Sequence, residues 1–265
     1  MNPREYVALL EVEDRHWWFT GLRREIAREL ARAAPEEGFR RWLDAGSGTG
    51  GLLANLEVPG RPAGIGLDFA AEGVGLARRR PGLRLALGSV ERLPFPDSSF
   101  DLVTSIDVLC HRNVEESRAL SEVFRSLAPG GMLVLQVPAF DSLRGEHDLA
   151  VWTNRRYRLG QTVQLLEEAG FAVRRRFYRN SILFPAAALR RLGRRGSGSL
   201  GEARSDVAPA GRFANLLFSA VLRLEEALRA GGGWFPFGLS VFCVAQKPAS
   251  RVLSSTSRGG SPSSG

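Results

Sequence analysis

The chain is poor in the residues that build cross-links, metal sites and membrane spans. Its 265 residues include 2 cysteines and 3 histidines, and Cys110 and Cys243 lie far apart without a CxxC or Cys/His spacing. Neither a disulfide framework nor a metal site is therefore indicated, and a reducing cytosol fits. No signal-peptide core follows Met1. The apolar stretches around 182–189 and 213–222 are shorter than the roughly 20 residues of a spanning helix. We expect a cytoplasmic protein, or one peripheral to the inner membrane.

Lysine is almost absent, and positive charge is unevenly distributed. Lys247 is the only lysine among 36 basic residues. Residues 1–150 carry 18 basic and 22 acidic side chains, whereas residues 151–265 carry 18 basic and 6 acidic ones. A basic half can bind nucleic acid, anionic lipid or an acidic substrate. A compositional bias on a solvated face, typical of a GC-rich bacterial genome, is the simpler interpretation.

Strands and helices alternate along most of the chain. Residues 3–34 predict one or two helices, which end before Pro35. Seven short β runs follow, at Arg41–Ala45, Ala63–Asp68, Leu83–Gly88, Asp101–Ile106, Met132–Val137, Phe171–Tyr178 and Leu239–Gln246. The helices between them are expected at 49–56, 70–79, 114–127, 162–169, 181–195 and 212–229, with a loop at 138–159. This alternation predicts an α/β fold with a doubly wound, mostly parallel sheet of seven strands.

The same pattern suggests one elaborated domain with additions at both ends. Its expected parts are an N-terminal helical lid at 1–37, a cofactor-binding core at 38–180, a helical insertion at 181–237 with a flexible linker at 196–211, a last strand at 238–247 and a disordered tail at 248–265.

The most informative stretch is Leu43–Gly50, where an apolar strand ends in Asp44 and a glycine-rich turn follows. Gly46 and Gly48 let the backbone approach a ligand that any Cβ would block. The spacing of the glycines also fits a dinucleotide site, with Asp68 where a ribose-binding acid belongs. A pyrophosphate, however, would meet the like charge of Asp44, so a cationic ligand is favoured.

Further motifs, which follow one another along the chain, distinguish between the two kinds of cofactor. Residues 88–101 read Gly-Ser-Val-Glu-Arg-Leu-Pro-Phe-Pro-Asp-Ser-Ser-Phe-Asp, Asp107–His111 end the fourth strand, and Leu127–Gly131 precede the fifth. With them, residues 38–138 resemble the class I S-adenosylmethionine-dependent methyltransferases, in particular the small-molecule branch that contains the quinone C-methyltransferases. The His-Trp-Trp-Phe motif within Glu13–Phe19 resembles a bacterial subgroup associated with polysaccharide or secondary-metabolite pathways.

The resemblance implies a site for S-adenosylmethionine and its product S-adenosylhomocysteine. Asp44, Gly46, Ser47 and Gly48 would hold the methionine part, with Asp44 compensating the ammonium group. Asp107 would line the reactive end of the pocket.

For the adenosine part, Asp68 would accept two hydrogen bonds from the ribose hydroxyls. Phe69 and Val90 would enclose the adenine. Ser89 stands where the family commonly carries an acid that receives the adenine amino group, which implies a weaker contact here.

A general base is needed only if the nucleophile carries a proton that must leave. His111 is the first candidate, since it follows the fourth strand and titrates near neutrality; the alternative is a polar residue that shapes the loop. His147 and Tyr157, with Asp148, form a second catalytic group. Related sequences often carry another histidine where this chain has Asn154, which weakens that assignment.

Three further features have alternative interpretations. Arg155 and Arg156 would bind a phosphate or carboxylate of the substrate, or form a solvated surface. His16, Trp17 and Trp18 would pack the N-terminal helix, or form a lid over the cofactor. The two arginine-edged helices after residue 181 suit a lid or packing, a dimer contact, or an interfacial helix on anionic lipid.

The sequence thus predicts methyl transfer from S-adenosylmethionine to a small-molecule acceptor such as a sugar, polyketide or lipid-linked glycan, with O-methylation favoured. One alternative is a non-catalytic S-adenosylmethionine-binding regulatory or scaffold protein, motivated by Ser89 and Asn154. A nucleic-acid methyltransferase rests only on the basic half, and the chain lacks the Asn/Asp-Pro-Pro-Tyr/Phe and Pro-Cys motifs of such enzymes.

Overall fold

A computed structural model describes residues 3–194 and 211–249, without the side chains of Glu146, His147 and residues 190–194. The linker predicted at 196–211 lies outside the described residues except for its last residue. The tail predicted at 248–265 lies outside them except for its first two.

The strands of the described chain form one sheet. They are β1 (Arg41–Ala45), β2 (Ala63–Asp68), β3 (Arg84–Leu87), β4 (Phe100–Ile106), β5 (Leu127–Pro138), β6 (Ala172–Arg179) and β7 (Ser240–Gln246). Their spatial order is β3-β2-β1-β4-β5-β7-β6. All neighbours pair in parallel except β7, which runs antiparallel to both β5 and β6. The predicted seven-stranded, mostly parallel α/β fold is therefore confirmed.

Helices precede the sheet and connect its strands. They are α1 (Pro3–Val12), α2 (Trp17–Ala33), α3 (Gly51–Asn55), α4 (Ala71–Ala77), α5 (Glu116–Ser126), α6 (Glu146–Ala150), α7 (Leu159–Glu168), α8 (Phe184–Arg194) and α9 (Arg212–Ala230). Helix α2 ends before Pro35 because Ala34 takes an extended conformation, with φ −61° and ψ 141°, as residues before proline prefer.

The start of β5 and the stretch 138–159 differ from the predictions in kind. The helix expected to end at Leu127 ends one residue earlier, because Leu127 pairs with Phe100 and opens β5. Residues 127–131, expected to precede the fifth strand, instead lie inside β5, next to an irregularity in the pairing with β4. The stretch 138–159, expected to be a loop, contains α6 and a single 3-10 turn.

Apolar side chains fill both faces of the sheet. On one face, Leu120 and Leu166 of α5 and α7 pack against strand residues such as Val103 and Leu133. On the other, the apolar stripe of α2, which includes Ile26, packs against the sheet. Burial on both faces explains why the central strands read as continuous apolar runs.

The parallel pairing brings the carboxyl ends of β1, β2 and β4 to one edge. Asp44 is in register with Gly66 of β2 and Thr104 of β4. Open α/β sheets bind ligands at this edge, where the strand order reverses on either side of β1. The helices α8 and α9 lie between β6 and β7 in chain order, and α9 packs beside α2.

Candidate cofactor and active site

The turn after β1 can be made only by residues that tolerate a left-handed backbone. Gly46 has φ +92°, and a Cβ there would overlap the side chain of Val108. The amides of Gly46 and Ser47 both donate to the carbonyl of Leu67, at 2.7 and 3.0 Å. The turn is thus held against β2, with the hydroxyl of Ser47 buried and without a partner.

Asp44 is a buried carboxylate that has no cation among its hydrogen-bond partners in the part of the chain that the structure describes. Its Oδ1 accepts a 2.7 Å hydrogen bond from the hydroxyl of Thr104, which in turn accepts one from Trp42. Burial raises the pKa of Asp44 to about 7, and the charges of Asp68 and Glu13 add to this rise. Such a group gains stability from a positively charged partner.

Asp68 lies between two backbone segments at the end of β2. Its Oδ2 accepts from the amide of Gly48 at 2.8 Å, and its Oδ1 accepts from the amide of Ala70 at 2.9 Å. The hydroxyl of Tyr6 also bonds to Asp68, so one of the roughly four acceptor positions of this carboxylate is open to a ligand hydroxyl. The predicted contact of Asp68 with two ribose hydroxyls stays a prediction.

The residues predicted to surround the adenine lie nearby in the fold but differ in exposure. Phe69 is 69% exposed, whereas Val90 is buried. An exposed aromatic ring directly after Asp68, the predicted ribose-binding acid, fits stacking on a flat ligand. The hydroxyl of Ser89 accepts from the amide of Glu91 at 3.1 Å, so it shapes its own turn. Its predicted adenine contact stays a prediction.

Asp107 belongs to a buried polar chain at the end of β4. Its Oδ2 accepts from Gln136 at 3.0 Å, and the amide oxygen of Gln136 accepts from Arg179 at 3.0 Å. The Oδ1 of Asp107 has no partner, and its backbone is left-handed at φ +55°. Burial raises its pKa to about 6. Sequence analysis missed Gln136, although a glutamine inside an apolar strand was a visible signal.

His111 is the predicted base whose ring keeps an open acceptor. Its Nδ1 is buried and has no hydrogen-bond partner in the described chain. Burial lowers its pKa, while the charge of Asp68 and the carbonyls of Trp152 and Val151 act in the opposite direction. A neutral imidazole with a free nitrogen is the form that accepts a proton.

Tyr157 and His147 form the second predicted catalytic group, and the contacts of Tyr157 are structural. The hydroxyl of Tyr157 lies 2.5 Å from Glu116 Oε1 and 3.0 Å from the carbonyl of Leu109, and burial raises its pKa. These contacts fasten the loop after β5 to α5. The backbone of His147 lies in α6, and its side chain lies outside the described residues. The catalytic roles of both stay predictions.

Neither alternative for the arginine pair agrees with the contacts. Arg156 is buried and paired with Asp148 through hydrogen bonds of 2.9 and 3.1 Å. Arg155 donates to the carbonyls of His111 and Val114. Arg156 is a structural cation, and Arg155 holds the loop that carries His111. The prediction of a substrate phosphate site or a solvated surface is therefore wrong for Arg156.

The segment that covers the glycine turn is α1, and sequence analysis did not foresee its contacts. The ring of Tyr6 packs beside Gly73, and its hydroxyl interacts with Asp68. At the end of the helix, Glu13 accepts from Thr49 at 2.5 Å and from Arg80 at 2.8 Å. Arg80 pairs with Glu13 from the far side of the glycine turn and so holds the end of α1 in place over the site.

The His-Trp-Trp motif packs against α9, in agreement with the simpler of its two interpretations. His16 caps α2, since its Nδ1 accepts from the amide of Trp18 at 3.3 Å. Trp17 donates its amide to Asn215 at 2.6 Å, and its ring lies 5.0 Å from that of Phe218.

Comparison with known proteins agrees with this geometry. The family described as "Methyltransferase domain" matches residues 43–135, from β1 to β5. The Mycolicibacterium smegmatis protein named "Probable S-adenosylmethionine-dependent methyltransferase" is 31% identical over 194 residues, 72% of this chain and 72% of that protein. The chain belongs to the S-adenosylmethionine-dependent methyltransferases. The predicted enzyme family and cofactor are thereby confirmed.

Other relatives of this methyltransferase match shorter stretches. Phthiotriol/phenolphthiotriol dimycocerosates methyltransferase 1 of Mycobacterium ulcerans is 38% identical over 43% of this chain and 41% of its own. Fatty-acid O-methyltransferase of Mycolicibacterium smegmatis is 33% identical over 48% of this chain and 46% of its own. The chain spans less than half the length of the first curated relatives it matches.

A solved structure confirms the fold over nearly the whole chain. It is the complex between the Haloferax volcanii Trm112 methyltransferase activator and a methyltransferase, and it matches with a TM-score of 0.57 and 21% identity over 93% of this chain and 94% of that one. Within the described residues, no helix of the methyltransferase is long and apolar enough to cross a membrane, and no cluster of metal-ligating side chains occurs.

The residues at the strand edge fit S-adenosylmethionine. Asp44 offers a buried carboxylate, and the Oδ1 of Asp107 has no partner among the described residues. The left-handed Gly46 turn presents backbone where a side chain would intrude. These features suit the positively charged methionine end of the cofactor, and a pyrophosphate would be repelled.

Proposed function

We propose that the enzyme transfers a methyl group from S-adenosylmethionine to a small-molecule or lipid acceptor, with O-methylation favoured. One observation carries the proposal: the strand edge that fits the cofactor has buried carboxylates, and a histidine nitrogen without a hydrogen-bond partner lies close by in the chain. Asp44 and Asp107 supply the buried carboxylates, and the unpartnered Nδ1 of His111 follows the same strand end as Asp107.

When bound, the cofactor supplies an electrophilic methyl group on a positively charged sulfur. Asp44 would hold the ammonium group and Asp68 the ribose, which fixes the direction in which the methyl group is presented. The polar chain from Arg179 through Gln136 orients Asp107 at the reactive end. Because methyl transfer is an in-line displacement, alignment in a dry pocket is the main contribution of these side chains.

His111 would remove the proton from a hydroxyl acceptor. Burial keeps its imidazole neutral and therefore able to accept a proton near neutral pH. The loop that carries it is held by Arg155, which donates to the carbonyl of His111 itself at 2.8 Å. Positioning of this kind is what general-base catalysis requires.

The acceptor class is supported by the names of relatives. Two relatives are named as methyltransferases of phthiotriol and phenolphthiotriol dimycocerosates and of fatty acids, the latter on oxygen. A lipid thus joins the sugar, polyketide and lipid-linked glycan classes that the sequence predicts as acceptors. Membership of the quinone-methyltransferase branch, or of the His-Trp-Trp-Phe subgroup, stays a prediction.

Two experiments test the proposal. Calorimetry with S-adenosylhomocysteine is expected to give one binding site that is lost in Asp68→Ala. The enzyme is then incubated with methyl-labelled S-adenosylmethionine and with lipid and aqueous fractions of a bacterial extract. A labelled product made by the wild type, with the methyl carbon on oxygen by NMR, supports O-methylation.

Other outcomes separate the alternatives. Tight cofactor binding with no labelled product from any fraction favours a regulatory or scaffold protein. Label in nucleic acid favours the nucleic-acid methyltransferase alternative. Absence of cofactor binding contradicts the proposal as a whole.

A further inference from the structure

Helix α9 exposes a continuous apolar face. Phe213, Leu216 and Leu224 are 79%, 71% and 55% exposed, and Leu217 and Leu228 are nearly as open. These five residues, the α9 face, recur at helical spacing and lie on one side of the helix. Single exposed apolar residues are ordinary, but a stripe of five along a helix marks an interaction surface.

The opposite side of α9 is firmly attached to the core. Glu226 pairs with Arg24 at 3.1 Å and with Arg28 at 2.9 Å, both on α2. Glu225 pairs with Arg229 at 2.8 Å and accepts from the amide of Ile182 at 3.0 Å. These contacts fix which side of the helix points outward, so the α9 face is a consequence of the fold.

Because these contacts bury the acidic side chains of α9, the charged side chains that this helix exposes are arginines. The two acidic residues of α9 are buried and paired, whereas Arg212 and Arg223 are exposed. Trp234, just after the helix, is 76% exposed, and Leu189 of α8 is 71% exposed. Apolar residues with flanking arginines and a tryptophan are the composition of helices that lie in the membrane interface.

We propose that the α9 face binds a membrane surface rich in anionic phospholipid. The five apolar side chains enter the boundary between headgroups and acyl chains, and Arg212 and Arg223 contact the lipid phosphates. At about 1.5 Å per residue, the 19 residues of α9 lie along the surface over roughly 28 Å. A second copy of the chain would bring the exposed arginines of both copies together, which charge complementarity disfavours.

Co-sedimentation of the full chain with vesicles tests this surface. Vesicles of phosphatidylcholine alone are compared with vesicles that also contain phosphatidylglycerol. Binding is expected to require the anionic lipid and to weaken with added salt. Leu216→Ser with Leu217→Ser is expected to lower the partition coefficient on the order of tenfold or more.

Matched variants separate the apolar and the charged contributions. Leu149→Ser removes a leucine that is 67% exposed on α6, and it is expected to leave vesicle binding unchanged. Arg212→Gln and Arg223→Gln should each weaken binding to anionic vesicles about fivefold, with little effect on neutral ones. Calorimetry with S-adenosylhomocysteine on every variant confirms that the cofactor site is intact and keeps this test independent of methyl transfer.

Three results would overturn the proposal. One is the absence of sedimentation with anionic vesicles. Another is sedimentation that survives Leu216→Ser with Leu217→Ser. The third is a concentration-dependent dimer, seen by light scattering, that the same double variant abolishes.

Discussion

Replacing Asp44 by asparagine should have opposite effects on the ligand-free protein and on cofactor binding. Burial raises the pKa of this carboxyl from 3.8 to about 7. One pKa unit corresponds to about 1.4 kcal/mol, so the charged form is disfavoured by at most roughly 4 kcal/mol. Relaxation and water entry reduce this figure, and we expect Asp44→Asn to stabilise the ligand-free protein by about 2 kcal/mol at pH 8.

The dependence on pH follows from the direction of the shift. The folded protein binds more protons than the unfolded chain between the ordinary pKa of 3.8 and the raised value of about 7. The contribution of Asp44 to the free energy of unfolding of the wild type therefore falls as pH rises between these two values and is constant above them. The gain from Asp44→Asn should accordingly be largest above about pH 7 and vanish near about pH 4.

Urea unfolding and calorimetry measure the two effects. The neutral amide no longer compensates an ammonium group, so affinity for S-adenosylhomocysteine should fall about 30-fold. Asp141→Asn, at a carboxylate that is 70% exposed, is the control and should change neither quantity. A variant that is less stable than the wild type at pH 8, or that binds the ligand with unchanged affinity, would refute the reasoning.

Three further substitutions test other parts of the site. His111→Gln should lower the methyl-transfer rate about 100-fold to 10,000-fold with unchanged S-adenosylhomocysteine affinity, and the wild-type rate should level off at a lower pH than an ordinary imidazole base would give, because burial lowers the pKa of His111; an unchanged rate would remove it as the base. Gly46→Ala should lower the free energy of unfolding in urea by about 2–4 kcal/mol, because Gly46 has φ +92° and an added Cβ would overlap Val108. The control Gly75→Ala, with open space around it, should leave that free energy unchanged or raise it. Arg156→Met should cost about 3–5 kcal/mol by leaving Asp148 buried and unpaired; a loss of acceptor affinity with unchanged stability would restore the substrate-binding interpretation.

The outer features of the site could not be predicted from sequence, because they depend on contacts between distant segments. Arg155 and Arg156 looked like surface or ligand-binding cations, since their partners Val114 and Asp148 become neighbours only after folding. The contact of Trp17 with Asn215 joins residues 198 positions apart. The cover provided by Tyr6 likewise depends on where α1 docks against α4.

What the sequence by itself determined is local. Apolar periodicity predicted which segments are strands and which are helices along the chain, and β1 and β2 begin and end at the predicted residues. The glycines after Asp44 and the acid at Asp68 indicated the cofactor, because a left-handed turn and a strand-end carboxylate are encoded by adjacent residues.

Only the tertiary structure decided what each side chain faces. Gln136 reaches Asp107 because β5 lies beside β4 in the sheet, and Arg179 reaches Gln136 from β6, across β7. Glu225 and Glu226 face the core, and the apolar side of α9 faces outward, because α2 supplies arginines for Glu226. Sequence periodicity reveals that a helix has two faces, but the choice of the buried face is made by the charges and shapes of its neighbours.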